Sequence, residues 1–418
     1  MLSLLPFRQF FVALALVFLS ASVALSAEPI GLDGFIRDAE FIAGDGAANS
    51  QFGVAVDIEG DTAVVGAVGT LAGTPAGSAY VYFRVNGSWN LQTVLTPDTT
   101  PPKSFGNSVS ISGNTLVIGA GGSTTEIGAA YVFLRTGTTW AQQAKLTASD
   151  GAINDLFGAV VAVDGNTAVI GARLDDVGAN ADQGSAYVFV RSGTAWTQQQ
   201  KLTASDGAAT DNFGIAVDVI GNTVIVGSNQ DDNSALTDNG AAYVYTRSGT
   251  VWTQQPKLIA NDTLSNDKFG RSVDFNSATE VVIGATGADA GYVFKFDLGA
   301  WVPEAKLKPA VGFVQAGISV ALQGDIALVG DNFNTVNGNA NGGAIFVFSR
   351  TGATWTEVDR LTVNDSALQD QMSFGLALNG NTAIAGAPFK DLGLNTNQGV
   401  AYTFDFDDVI FRNGFQLP

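Results

Sequence analysis

The chain has neither cysteine nor histidine among its 418 residues, and that double absence removes whole classes of chemistry. Disulfides, thiolate nucleophiles, Ser-His-Asp triads and the usual zinc or copper sites each need one of the two. Any catalysis would rest on Asp, Glu, Tyr, Lys or Arg, and any metal would be a hard, oxygen-liganded ion, calcium above all. Positive charge is also scarce: 20 Lys and Arg stand against 39 Asp and Glu, a formal net charge of −19. Such a chain lacks the electrostatic footprint of a nucleic-acid binder, and anionic membrane surfaces should repel it. Only seven of the acids are Glu. Asp favours turns and local backbone hydrogen bonds, so the charge is expected in loops, where it also keeps the protein soluble.

One long apolar run is present, from Phe10 to Leu25, preceded by Arg8 and followed by small residues through Ala27. One positive charge, an apolar core and a small-residue exit describe a secretory signal over residues 1–27. Its removal deletes Arg8 and no acid, so the formal charge moves from −19 to −20. No other stretch has the length needed to span a bilayer. The expectation is a soluble exported protein, secreted or held at the cell surface, monomeric and without an integral membrane segment after cleavage. With no disulfide, it must be held together by its core, and the length allows a large one.

What the chain has in quantity is repetition. A Phe-Gly step recurs at Phe52-Gly53, Phe105-Gly106, Phe157-Gly158, Phe213-Gly214, Phe269-Gly270 and Phe374-Gly375, with a degenerate copy at Ala316-Gly317. Successive steps lie 53, 52, 56, 56, 47 and 58 residues apart, so seven copies of one unit follow each other. A period of this size signals a propeller or solenoid. In the third copy, Ala159–Val163 and Ala168–Ala172 are short apolar runs joined by the turn Asp164-Gly165-Asn166. A polar loop leads to Ala186–Arg191, and Ser192-Gly193 turns the chain into Trp196–Leu202. Four antiparallel strands with tight turns make one propeller blade.

Residues that recur at one offset are architecture. All six Trp stand five residues before Val94, Lys145, Lys201, Lys257, Lys306 or Arg360, and all eight Tyr fall on the third strand of a blade. Their recurrence assigns them to packing between blades rather than to ligand stacking. Arg84, Arg135, Arg191, Arg247 and Arg350 recur just after that strand and are read in the same way.

The seventh copy lacks its Trp strand, and the N-terminus carries the missing piece. Glu40–Ala47 matches Lys201–Ala208, and Phe35 falls where Trp belongs. The first strand after the leader is therefore expected to complete the last blade and close a ring of seven, removing the open edge. The fold class read from these patterns is all-β, a seven-bladed β-propeller of four-stranded antiparallel blades over residues 35–406.

Phe-Gly followed by Val-Ile-Gly-Ala, or by Ile384-Ala385-Gly386-Ala387-Pro388 in the last copy, resembles the bacterial FG-GAP repeat family, similar in architecture to the integrin α-subunit propeller. The resemblance implies ligand engagement on loops of one face. The family's calcium loops sit in the first hairpin of a blade. Here those hairpins are short (Ser112-Gly113-Asn114, Asp164-Gly165-Asn166, Asn379-Gly380-Asn381), which argues against inherited sites of that type. The last stretch, residues 407–418, contains Ile410–Phe415 and resembles a terminal sorting motif of exported proteins; an apolar tail docked on the last blade is the other reading.

First and third turns of each blade emerge on one face of the ring, while second loops and inter-blade links emerge on the other. Loop length and loop Asp gather on the second face, at Asp175, Asp176, Asp182, Asp231, Asp232, Asp238 and Asp331, with Asp150, Asp155, Asp206, Asp211, Asp262, Asp267, Asp365 and Asp370 in the links. Three readings are open for it. The face binds an extracellular protein or glycan, as loops on rigid scaffolds do. Or paired carboxylates, Asp175 with Asp182 or Asp231 with Asp238, act on a polysaccharide as hydrolase or lyase. Or Asp206, Asp211, Asp231 and Asp232 supply oxygen ligands to calcium, which would stiffen the binding face. Recurrence of these Asp positions argues against a unique catalytic centre, and a non-catalytic binding or adhesion propeller is the expected function. The axial channel, lined by apolar and Gly-containing strands, is expected to offer little chemistry.

Overall fold

The computed structural model describes residues 36–69, 77–97, 104–122, 126–233 and 235–406. The proposed leader, Phe35 and the C-terminal tail lie outside them. Among the described residues there are 28 strands and no helix, arranged as seven four-stranded antiparallel sheets. In the third blade the strands are Val160–Asp164, Thr167–Ala172, Ser185–Ser192 and Ala195–Leu202, within one or two residues of the apolar runs. The tight turns form where Gly, Asn and Asp accept the required backbone, as at Gly165 with φ +54°.

The ring closes through its first strand. Ile36–Phe41 pairs antiparallel with Val400–Asp405, placing Glu40 opposite Tyr402 as Lys201 stands opposite Tyr187. The hydrophobic core lies between neighbouring sheets. Val169 and Val188 of the third blade pack with Phe213, Val224 and Tyr243 of the fourth. Phe41 of the closing strand packs with Phe52 and Tyr80 of the first blade.

Two glycines per blade allow this approach. The Phe-Gly glycine has φ between +86° and +98° in six blades, as in Gly158 and Gly317, and a Cβ on Gly214 would collide with the Ser185 carbonyl. The Gly of the second strand faces it: a Cβ on Gly171 would strike the Gly214 carbonyl oxygen.

The seventh copy departs from the expected register. Met372-Ser373, not Phe374-Gly375, occupies the Phe-Gly position. Met372 is fully buried, its N–H donates to the Gly342 carbonyl as Phe213 donates to Gln183, and Ser373 has φ +74°. The step then falls 56 rather than 58 residues after Ala316, matching the spacing of the third and fourth blades. The Phe-Gly dipeptide two residues downstream is a coincidence of sequence that hides the true register.

Candidate functional site

The aromatic and basic residues that recur stand where packing requires them. Arg84, Arg135, Arg191, Arg247 and Arg350 each lie over the Trp paired with them across the blade, at 4.9–5.2 Å. Trp140, Trp196 and Trp252 donate indole N–H bonds to Gln92, Gln143 and Gln199 of the preceding blade. Lys145, Lys201, Lys257 and Lys306 lie over Tyr131, Tyr187, Tyr243 and Tyr292. In the closing strand the Lys position holds Glu40, and Arg37 covers Tyr402 instead at 4.8 Å.

On the loop face the structure gives most of these Asp side chains an internal task, the Asp182 carboxylate excepted. Asp155, Asp211, Asp267 and Asp370 accept N–H bonds of 2.6–2.7 Å from Ala152, Ala208, Leu264 and Ala367, closing the same turn in four links. Asp176 and Asp232 accept the N–H of Asp182 and Asp238, closing the second loops, and Asp391 does so for Asn397. Asp331 is fully buried and accepts N–H bonds from Val314, Gln315 and Phe333. Asp238 also pairs with Lys268 at 3.4 Å.

The candidate calcium ligands surround an ammonium. Lys257 Nζ lies 2.7 Å from Asp206 and 3.2 Å from Asp231, and the Tyr243 hydroxyl hydrogen-bonds to both carboxylates. Lys201 joins Asp150 and Asp175 at 2.7 Å each, and Lys390 joins Asp365 and Asp370. Burial works against ionisation of Asp206, but the Lys257 and Tyr243 bonds outweigh it and hold its carboxyl below the usual range. Burial of Asp231 outweighs the same partners and raises it. Asp211 is pushed up to about 6, by burial first and then by the Asp231 and Asp232 charges. Asp211 and Asp232 are tied to backbone rather than to this cluster. Among the described residues no group of three or more carboxylates converges on a point that would hold a metal ion. Lys257 thus stands between Asp206 and Asp231, two of the four carboxylates considered for calcium.

The axial channel overturns the expectation of little chemistry. Each inner strand has one free edge, and in six of the seven blades side chains of the preceding blade cap N–H groups along it or at its turn. Ile111 and Phe275 donate to Asp57 and Asp218 at 2.8 and 2.7 Å, and Leu322 to Asp274 at 2.6 Å. Ser108, Ser110 and Ser112 do the same for Val161, Val163 and Gly165. Where the preceding blade offers only Ala162 or Ala377, the second carboxylate oxygen of Asp218 or Asp57 turns back to its own chain, accepting from Val219 or Ile58. Burial pushes Asp57 and Asp218 up to about 7, with like charges nearby adding to it, and raises Asp274 well above its ordinary value. The period-2 pattern Asp57, Glu59 and Ser108, Ser110, Ser112 carried this signal in the sequence.

A closed ring of seven four-stranded antiparallel blades is a β-propeller. The chain belongs to the FG-GAP repeat family: its repeat matches at residues 35–82, 89–133, 140–189, 196–245, 252–295 and 355–404, more than half of the chain. The first match begins at Phe35 and the others at a Trp, and the interval 296–354 with the degenerate sixth copy is unmatched. No curated protein matches significantly. Among solved structures, the chain is similar to U3-55K, with TM-score 0.54 and 11% identity over 88% of this chain and 99% of that one. It is similar also to the WD40 repeats of RRP9, with TM-score 0.51 and 12% identity over 88% and 99%. At such identity the likeness concerns the fold alone. Among the described residues no helix is long and apolar enough to cross a membrane.

Proposed function

We propose that the protein is a non-catalytic binding scaffold that engages an extracellular protein or glycan through its loop face. The observation that carries this reading is what the face exposes. Ile127, Ile153, Leu264, Val311, Leu368 and Leu394 all lie in second loops or links, and Leu394 is completely exposed. The backbones of Ile153, Leu264, Leu368 and Leu394 are held in Asp-closed turns, so these apolar side chains are presented from rigid positions, the arrangement that lowers the ordering cost of binding. The Asp residues hold the face in shape, and its apolar tips make the contacts. The signal-like run at residues 1–27 supports export to the place where such a partner would be met. Of the carboxylates considered as acid–base pairs, Asp175 is engaged by Lys201 and Ser185, Asp231 by Lys257 and Tyr243, and Asp238 by Lys268, which favours binding over polysaccharide cleavage.

A glycan and protein array probed with the purified protein tests this reading. Replacing Leu264, Leu368 and Leu394 together by Asp is expected to abolish the array signal while the thermal midpoint stays within about 1 °C, since exposed sites contribute little to stability. Retained binding by that variant would overturn the assignment to the loop tips. Calcium and chelator are each expected to leave the thermal midpoint unchanged, because a native-state ligand would shift it by mass action. A calcium-dependent rise would restore the metal reading.

A further inference from the structure

Two guanidinium groups stand apart from the ring's internal bookkeeping. Arg173 follows the Gly-Ala of the third blade, and Arg271 follows the Phe-Gly of the fifth. The corresponding positions elsewhere hold Val68, Gly121, Asn229, Thr286, Asn332 and Pro388 for the first, and Val54, Asn107, Ala159, Ile215, Ile318 and Phe374 for the second. Neither arginine is therefore part of the repeat. Both are half-buried, and neither has a hydrogen-bond or ion-pair partner in contact among the described residues, whereas every other described arginine has one; the Asp182 charge acts on Arg173 only from beyond contact distance, and no acid acts on Arg271.

Both positions border the channel mouth on the loop face. Asn107, the counterpart of Arg271, bonds to Gly121 of its own blade and to Ala159 of the next. A Cβ on Gly121, the counterpart of Arg173, would lie 3.1 Å from the Ala159 Cα. These contacts make the two sets of positions one collar around the inner strands. Within it the Arg173 charge reaches Arg271, and burial followed by that repulsion lowers the guanidinium's hold on its proton. The acids of the channel do not answer it. Asp274 stands three residues deeper on the same strand, about 10 Å along it, and its carboxylate is bonded to Leu322.

We propose that Arg173 and Arg271 form an anion-binding site at the loop-face mouth of the axial channel, taking a compact oxyanion such as the carboxylate or phosphate group of a ligand. Ten N–H donors with no bonded partner among the described residues are costly in a half-buried place, and a guanidinium fork matches an oxyanion edge. The surrounding charge sets the size. A protein at −19 with an Asp-rich rim repels a polyanion, so the site admits one small anionic group that reaches the axis. This goes beyond the binding role of the loop tips and does not depend on it.

The ring itself supplies the test variants. Ile stands at the Arg271 position in two blades and Asn at the Arg173 position in two, so Arg271→Ile and Arg173→Asn are side chains the collar already accommodates. Thermal unfolding at pH 7 is compared in inorganic phosphate, in acetate and in chloride at equal ionic strength. Phosphate or acetate is expected to raise the wild-type midpoint by about 2 °C or more over chloride, by preferential binding to the folded state. The gain should vanish in the double variant, whose midpoint in chloride should equal or exceed that of the wild type. No gain in the wild type, an equal gain in the double variant, or a double variant less stable in chloride would each overturn the site, the last by making the arginines structural.

Discussion

At the scale of single residues, the acids of this protein divide by what answers their charge. Asp206 is held ionised by Lys257, whereas Asp57, Asp218 and Asp274 are answered only by backbone N–H groups and by one another. The sign of the pH dependence follows. A carboxyl with a folded pKa near 7 against an ordinary 3.8 binds its proton more tightly in the folded state. Its contribution is complete below about 4 and is lost as pH rises through 7. Asp211, raised to about 6, acts in the same direction. The thermal midpoint is expected to fall as pH rises from 4.5 to 8, and Asp218→Asn should flatten the profile. A midpoint rising over that range would show that the channel carboxyls ionise freely. These acids were visible in the sequence, but their burial was not, because an Asp in a two-residue alternation reads alike on a solvent-facing and a channel-lining strand.

At the scale of the element, the blades were legible because Phe-Gly, Gly-Ala and the Trp offset recur with tight turns between them. The register of the seventh inner strand was not. Phe374-Gly375 matches the motif in letters, yet Met372 fills the aromatic pocket and Ser373 takes the left-handed backbone that the glycines take elsewhere. Side-chain volume and backbone conformation decided the register, and neither is spelled by the dipeptide. Ser373 also leaves a buried hydroxyl without a partner among the described residues. Ser373→Gly is therefore expected to stabilise the protein by about 1 kcal/mol, by relieving the positive φ and removing that hydroxyl. The reverse experiment, Gly214→Ala, should cost 3 kcal/mol or more (roughly, from overpacking and strain together), since it imposes a clash with Ser185 at φ +95°. Denaturant titration of both variants checks the pair; destabilisation by Ser373→Gly would refute the register.

For the whole molecule, closure depends on one short strand carried from the far end of the chain. Phe41 stacks on Tyr82 at 4.2 Å and meets the edge of Trp89, so the last blade is joined to the first through an aromatic contact as well as through the ladder to Val400–Asp405. Phe41→Ala should cost about 3–4 kcal/mol, as for a buried aromatic, and the loss should appear as destabilisation of the entire ring in a single transition. A separate early transition, with the other blades unaffected, would show that the ends act alone. The match between Glu40–Ala47 and Lys201–Ala208 made this closure readable, whereas the face it leaves for binding was only half readable. Sequence located the Asp residues there; the fold engages most of them with lysines and backbone N–H groups, and the apolar tips stand outside beside them.

The capping of inner strands has one further consequence. The caps that cross between blades reach forward, from one blade to the N–H groups of the next, so the ring has a direction of travel as well as a rotational order. Blades following Ala162 and Ala377 carry an Asp that serves itself, while those following Asp57 and Asp218 need not. The blades are therefore not interchangeable modules. Each is written for its predecessor, and a blade moved to another station would arrive with the wrong complement of donors and acceptors.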